Sequence, residues 1–280
     1  MKILITGANG YIGSHVVTSL LDKGQHVIAC DVVTNHIDPR AQIIKYDIFH
    51  CTEHDDMFAT LGKPDVCLHL AWRDGFVHNS ARQMQDLSFH YTFLTNLISH
   101  GLKQLSVMGT MHEVGYHEGK IEESTPCNPL SLYGIAKNAL RQSLIMFSSQ
   151  NNCSLQWLRG FYIYGDDLKN HSIFTKLIEA DKRGDEFFPF TTGKNQYDFI
   201  SVDELVCQIT AVLMQNQING IINCCSGTPL SLAEAVENFI KQNHLKIKLN
   251  YGAFPDRAYD SPCIYGDNSK IQQIMNNQHG

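Results

Sequence analysis

Tyr133 and Lys137 stand four residues apart in "PLSLYGIAKN", with the small residues Gly134 and Ala136 between them. Residues at i and i+4 are neighbours on a helix, so one reading is a plain solvated helix face. The other is proton transfer. A free phenol titrates at about 10, too high for a good base near neutrality. A neighbouring ammonium favours the phenolate and lowers that value. Hydride transfer to or from a carbinol needs such a group at the oxygen, with a second hydrogen-bonding group beside it. "SVMGTMHEVG" supplies Thr110 at the end of an apolar run, where the alternative is a strand-end turn residue.

Hydride chemistry implies a dinucleotide, and "TGANGYIG" offers a place for one. Gly7, Gly10 and Gly13 lie between the apolar run "KILIT" and the helical pattern "GSHVVTSLLDKG". The first glycine allows a tight turn, the next permits close approach of a pyrophosphate, and the last lets helix pack on strand. The helix N-terminus adds N–H groups and a positive dipole end. Asp31 closes the second run, "HVIACD", where a carboxylate accepts hydrogen bonds from the adenosine ribose and repels a 2′-phosphate. This favours NAD over NADP, with Arg40 nearby pulling the other way. Asp47, ending the third run, is placed to reach the adenine.

These residues need a scaffold. "AQIIKYDI", "DVCLHLAW", "KQLSVMGT" and "SLQWLRGFYIYG" read as the third to sixth strands. Helices are expected at about 83–100 and through "LSLYGIAKNALRQSLIMFSSQ". Alternating strands and helices predict an α/β fold with a doubly wound parallel sheet. After Gly165 the alternation weakens. The expected organisation is a dinucleotide-binding domain over 1–165, with segments returning at about 196–227. A small discontinuous substrate lobe takes 166–195 and 228–280.

Composition narrows the partners. The chain has 280 residues, 43% apolar and 18% charged, with net charge −6 and no long basic run. Nucleic acid and anionic membranes are therefore poor partners, and no apolar stretch approaches a membrane span. The opening "MKILITGANG" enters a strand and turn at once, leaving no room for a signal peptide. Nine cysteines without a Cys-x-x-Cys pair point to reduced thiols in a cytoplasm. His50 and His54 in "HCTEHDD" have no second ligand cluster, so a polar loop or helix end is expected there and no metal. Surplus apolar residues on the two helices, including Phe89, Phe93, Leu97, Leu140, Leu144 and Phe147, suggest a homodimer.

The motifs together resemble the extended short-chain dehydrogenase/reductase family, in its nucleotide-sugar epimerase, dehydratase and reductase branch. The matches are "TGANGYIG", Asp31, "YDI" at 46–48, "HLAW" at 69–72, Thr110, "YGIAK", "LRGFYIYGDD", "YDFISVDEL", "DRAYD" and "YGDNSK". The resemblance implies that Tyr133 is the acid/base, Lys137 its partner and donor to the nicotinamide ribose, and Thr110 the third catalytic residue. It implies an NAD groove of Gly7, Asn9, Gly10, Tyr11, Ile12, Gly13, Asp31, Asp47, Ile48, Leu70 and Ala71. The lobe would hold a nucleoside diphosphate, with Phe188 and Phe190 flanking the base or packing in the core.

The chain also departs from the family pattern. Dehydratases follow the catalytic Thr with Asp-Glu, whereas Met111 and His112 stand here, so dehydration is not expected. His112 is either a second proton-transfer group or a hydrogen-bonded loop histidine. Tyr197 replaces an Arg near the sugar diphosphate, Tyr162 and His90 replace Asn, and Arg257 matches another anion-contacting Arg. N–H groups near Asn170 to Ser172 add a further anion contact. The implied activity is an NAD-dependent epimerase or 4-ketoreductase on a nucleotide-activated sugar. Asp31 leans towards tightly held NAD and thus epimerisation. The alternatives are a carbonyl reductase on a non-nucleotide substrate and a non-catalytic dinucleotide sensor.

Overall fold

The computed structural model describes residues 1–165, 172–255 and 260–277. Asn170 and Arg257 lie outside them. The strands are β1 (Lys2–Thr6), β2 (His26–Asp31), β3 (Gln42–Lys45), β4 (Val66–His69), β5 (Gln104–Thr110), β6 (Gly119–Ile121) and β7 (Ser154–Gly160). They continue with β8 (Tyr162–Tyr164), β9 (Phe187–Pro189), β10 (Gln196–Ser201), β11 (Gly220–Cys224), β12 (Pro229–Ser231), β13 (Lys248–Asn250) and β14 (Cys263–Gly266). The helices are α1 (Tyr11–Asp22), α2 (Met57–Thr60), α3 (Arg82–Gln85), α4 (Leu87–Ser99) and α5 (Leu132–Gln150). After them come α6 (Ile173–Arg183), α7 (Val202–Leu213), α8 (Leu232–Gln242) and α9 (Ser269–Asn277).

Successive strand residues point to opposite faces of a sheet, and a parallel sheet is covered on both. β1 obeys this residue by residue. Ile3 and Ile5 enter one core with Val16, Val17 and Leu20 of α1 and Leu205 and Ile209 of α7. Leu4 enters the other, with Phe93 and Leu97 of α4 and Leu140 and Leu144 of α5. The result is a seven-stranded sheet in the order β11-β7-β5-β4-β1-β2-β3, all pairs parallel. The strand order reverses at β1. There Thr6 pairs with Cys30 on one side and His69 on the other, gathering Gly7, Asp31 and Leu70 at one carboxyl edge. In such sheets this is where ligands bind.

Three sequence expectations need correction. "SLQWLRGFYIYG" is not one strand: β7 stays in the central sheet, while β8 turns away after Phe161 and pairs with β10. The helical stretch at 83–100 breaks at Asp86 into α3 and α4. Of the apolar residues assigned to a partner, Phe93, Leu97, Leu140 and Leu144 are all fully buried within this chain.

A second sheet runs β12-β10-β14-β6, with β8 on β10. Beside it, α6 and α8 pack Phe174, Leu177, Val236 and Phe239 into a separate apolar core with Phe190. α9 returns to pack on α7 and β11. Among the described residues, no helix is long and apolar enough to cross a membrane.

One carboxylate ties this second sheet together. Asp198 of β10 is fully buried. It accepts hydrogen bonds from Ser226 N (2.8 Å), Ser226 Oγ (2.7 Å), Gly227 N (2.9 Å) and Gly266 N (3.1 Å). Removing it leaves one buried donor and three part-buried ones without their acceptor, so Asp198→Ala should cost on the order of 3 kcal/mol. Urea unfolding measures this, and a loss below about 1 kcal/mol would show that the donors find other acceptors.

Candidate active site

The glycine turn is built by close backbone contacts. Gly7 takes φ +71°, and a Cβ there would lie 2.6 Å from Ala71 N. A Cβ on Gly13 would lie 2.1 Å from Gly7 O, so α1 leaves β1 at a distance that only glycine allows. Gly10 differs: it is exposed, and its Cβ would meet only Gly7 O, at 3.2 Å. It is also the N-cap of α1 and provides no side-chain cap, so the anion-attracting end of the helix is left open. Tyr11, Ile12 and Gly13 form that first turn. A cradle that a Cβ would fill, beside an uncapped helix end, fits a pyrophosphate.

Asp31 secures the cradle from the side. Its carboxylate accepts Asn9 N (3.0 Å) and Val33 N (3.3 Å). Asn9 Oδ1 in turn accepts His36 N at 2.8 Å, latching the segment after β2 to the turn. Arg40, the cation that would have suited a 2′-phosphate, is held by Asp38 (2.7 Å) and Asp22 (2.8 Å). Asp47 accepts Phe49 N (3.0 Å) as the cap of a short 3₁₀ turn starting at Ile48, so part of its hydrogen-bonding capacity is structural. Leu70 and Ala71 stand half-buried beside Gly7.

Gly134 has a clear purpose. A Cβ there would fall 2.4 Å from His112 O, so only glycine lets the first turn of α5 press on the turn Met111–Glu113. Ser131 caps the helix by accepting Gly134 N, and Tyr133 N donates to His78 O at 2.8 Å. Tyr133 is thereby set against Thr110, the last residue of β5. Lys137, one turn on, is 3% exposed. Its Nζ donates to Met108 O (2.8 Å) and lies 3.8 Å from the centre of the Trp72 ring.

The charges differ from the simple expectation. Burial, reinforced by the Glu113 carboxylate, pushes the Tyr133 phenol above its ordinary value, opposed only by the Thr110 hydroxyl. The expected lowering by Lys137 is not found. Burial drives Lys137 itself down to about 7, and its ammonium is aimed at Met108 O and Trp72 rather than at the phenol. His112 falls to about 4, through burial and then His78. It is neutral at physiological pH, 6.3 Å from the Tyr133 ring and 4.5 Å from that of His78.

On the substrate side, Tyr197 is 7% exposed. Its ring lies 4.6 Å from that of Tyr162 and 6.1 Å from that of Phe199. Its hydroxyl accepts Asn195 Nδ2 at 3.3 Å, so the residue standing in place of Arg is part of an aromatic core cluster. Ser172 caps α6. Phe190 is core, 2% exposed. Among the described residues no cluster of metal-ligating side chains occurs. Sequence reasoning overlooked His78, which stacks on Tyr133 (5.2 Å, 15°), together with Trp72, Gln83 and Glu113. "HLAW" marked Trp72 only as a motif position. The polar residues His69, His90 and Glu113 inside apolar stretches were the signal that these stretches border a site.

The Lys137 shift has a consequence for stability. The unfolded lysine titrates near 10.5 and the folded one near 7, so between these values the unfolded state binds more protons. The penalty of the buried ammonium is complete below about pH 7 and fades as pH climbs towards 10.5. Lys137→Met should therefore raise the Tm of the cofactor-free protein at about pH 6 by about 4 °C, with a smaller gain at about pH 10. Scanning calorimetry at both pH values checks this. A lower Tm at both would mean that the lost contacts outweigh the charge.

Comparison with known proteins identifies the family of the chain. The chain is 44% identical over 275 residues to dTDP-6-deoxy-L-talose 4-dehydrogenase (NAD(+)) of Aggregatibacter actinomycetemcomitans, covering 95% of this chain and 99% of that one. It is 24% identical over 311 residues to UDP-glucose 4-epimerase of Lactobacillus helveticus, covering 98% and 91%. The fold matches that of UDP-glucuronic acid 4-epimerase from Bacillus cereus, solved with UDP-glucuronic acid and NAD. The TM-score is 0.83 at 23% identity, over 99% of this chain and 93% of that one. Residues 3–225 match the NAD dependent epimerase/dehydratase family, and the chain belongs to that family.

Proposed function

We propose that this protein is an NAD-dependent 4-dehydrogenase/4-ketoreductase of a nucleotide-activated 6-deoxyhexose, with a dTDP-sugar as the first substrate to try. The observation that carries this reading is the 44% identity, over nearly the full length of both chains, to an enzyme named for that reaction. The residues fit it. Gly7, Gly10, Gly13 and the open end of α1 receive the pyrophosphate, and Asp31 the adenosine ribose. NAD, when bound, supplies the hydride acceptor or donor.

The chain's own groups handle the proton. Tyr133 gives or takes it at the C4 oxygen, Thr110 hydrogen-bonds the same oxygen, and Lys137, one turn on, is the phenol's cationic neighbour, with its ammonium directed to Met108 O and Trp72. With its value pushed up by burial, Tyr133 is protonated at neutral pH. It is ready as the donor that ketone reduction needs, whereas alcohol oxidation needs the phenolate. Met111 is buried in apolar packing and offers no proton-transfer group, which speaks against dehydration. The nine cysteines are all free thiols, in keeping with a cytoplasmic setting.

Incubation with dTDP-6-deoxy-L-talose and NAD should release NADH in step with formation of a 4-ketosugar. Appearance of the C4 epimer without net NADH would support the epimerase reading instead. Tyr133→Phe should lower turnover by about 10² or more, and activity within a few-fold of wild type would exclude the phenol.

A homodimer belongs to the same proposal. α4 and α5 pack side by side and leave Phe89, Ile135, Ile145 and Met146 exposed on their outer surface. A second copy of the same helix pair would cover these residues by an isologous contact. Light scattering should give a dimer, and Met146→Lys should shift it to monomer. A wild-type monomer at micromolar concentration would refute the contact.

A further inference from the structure

The active site contains an aromatic platform beside the proton-transfer residues. Trp72, on the loop after β4, has its indole 3.8 Å from Lys137 Nζ. The same indole stacks on His90 of α4 at 4.3 Å and 10°. Its Nε1 donates to Gln83 Oε1 at 2.7 Å, which fixes its edge. His90 is held in turn, since its Nδ1 lies 2.9 Å from His69 Nε2, and His69 Nδ1 lies 2.8 Å from Thr6 Oγ1. Thr6 is the residue before Gly7. A continuous chain of contacts, buried except at the half-buried Trp72, therefore runs from the strand end at the glycine turn to the lysine beside Tyr133.

We propose that Trp72 is the positioning residue for Lys137: its indole, braced by His90 and Gln83, holds the ammonium in place and favours its charged form. Tryptophan is the best aromatic partner for a cation, and the attraction grows when the cation is desolvated. Lys137 is such a cation. Burial and the indole act in opposite directions on it, burial favouring the amine and the ring the ammonium.

The surrounding titratable groups favour Lys137 as the one that switches near neutrality. Burial takes His69 down to about 3 and His90 well below its ordinary value, so both braces stay neutral. Burial also holds His78 and His112, the imidazoles on the far side of Tyr133, below the ordinary imidazole value. Tyr133 is protonated, and Glu113, in the turn after β5, favours the ammonium. Arg73, next to Trp72, is paired with Asp86 at 2.5 Å and lies over Phe49. Gln83 carries no charge. Lys137 is therefore the group in contact with the indole that changes charge around pH 7.

The inference rests on Lys137 as the partner of Tyr133, but its test begins with cofactor-free protein. The second tryptophan, Trp157, is 1% exposed and hydrogen-bonded to Glu113, and the Lys137→Met variant separates its contribution from that of Trp72. Wild-type fluorescence should show a step centred at about pH 7, as the ammonium beside the indole becomes an amine. Lys137→Met should abolish that step, and its persistence would overturn the proposal. With NAD and substrate, the pH profile of kcat/KM gives the second readout. Trp72→Phe keeps a ring and should stay close to wild type. Trp72→Leu should move the neutral limb down by about one pH unit, a tenfold loss at about pH 7.5 with little change at about pH 6. Equal profiles for Phe and Leu would reduce Trp72 to a core filler and overturn the proposal. If NAD fails to bind the wild type, the proposed function fails, while the fluorescence titration still decides the role of Trp72.

Discussion

The carboxylate of Glu113 sets the geometry on which the active site depends. It is fully buried and accepts Thr110 N (2.8 Å) and Trp157 Nε1 (2.9 and 3.0 Å). Arg141 Nε lies at 3.4 Å and Arg159 Nη2 at 3.8 Å. These partners come from β5, β7 and α5. A buried anion demands such a shell, because an unpaired charge in the interior is far more costly than a paired one. The shell leaves no room for side chains nearby: a Cβ on Gly109 would sit 2.0 Å from Trp157 Nε1. Thr110, the turn after it and the register of α5 are thus fixed by one group, and Tyr133 is placed as a result.

That arrangement also governs proton affinity. The same carboxylate that orders the site raises the phenol and opposes the fall of the lysine. Around them the imidazoles of His69, His90 and His112 are held neutral by burial. Fixed charge is confined to Glu113, its two arginines and Lys137, and any charge brought in by a ligand acts through a low dielectric and weighs heavily. The expectation that Lys137 alone would tune Tyr133 considered one neighbour and overlooked burial, which is the larger effect here.

Much of the fold was legible because its signals are local. "KILIT" and "HVIACD" are apolar on both faces, as strands of a covered parallel sheet must be. The spacing of Gly7, Gly10 and Gly13 encodes a backbone approach that the structure shows at Gly7 O. What escaped is non-local. The apolar run through Phe161 gives no hint that β8 leaves the central sheet, since that depends on β10, which lies beyond residue 195. Helix spacing placed Tyr133 beside Lys137 but did not reveal that Trp72, more than sixty residues earlier, takes the ammonium. Tyr197 was read through the residue it replaces, whereas its burial with Tyr162 and Phe199 is set by the pairing of β8 with β10.

The Asp198 hub has a consequence for how the chain assembles. Its donors are 28, 29 and 68 residues downstream, and β6, at 119–121, pairs with nothing in its sheet but β14. Closing long loops before any contact rewards them slows folding. During synthesis the central sheet can form as far as β7 while β6 still lacks its neighbour, and Asp198, once it has met Ser226 and Gly227, still waits for Gly266 N. The second sheet is therefore completed last, by a strand near the end of the chain. Until Cys263–Gly266 emerges, β10 and β6 each present an open edge where β14 will join them.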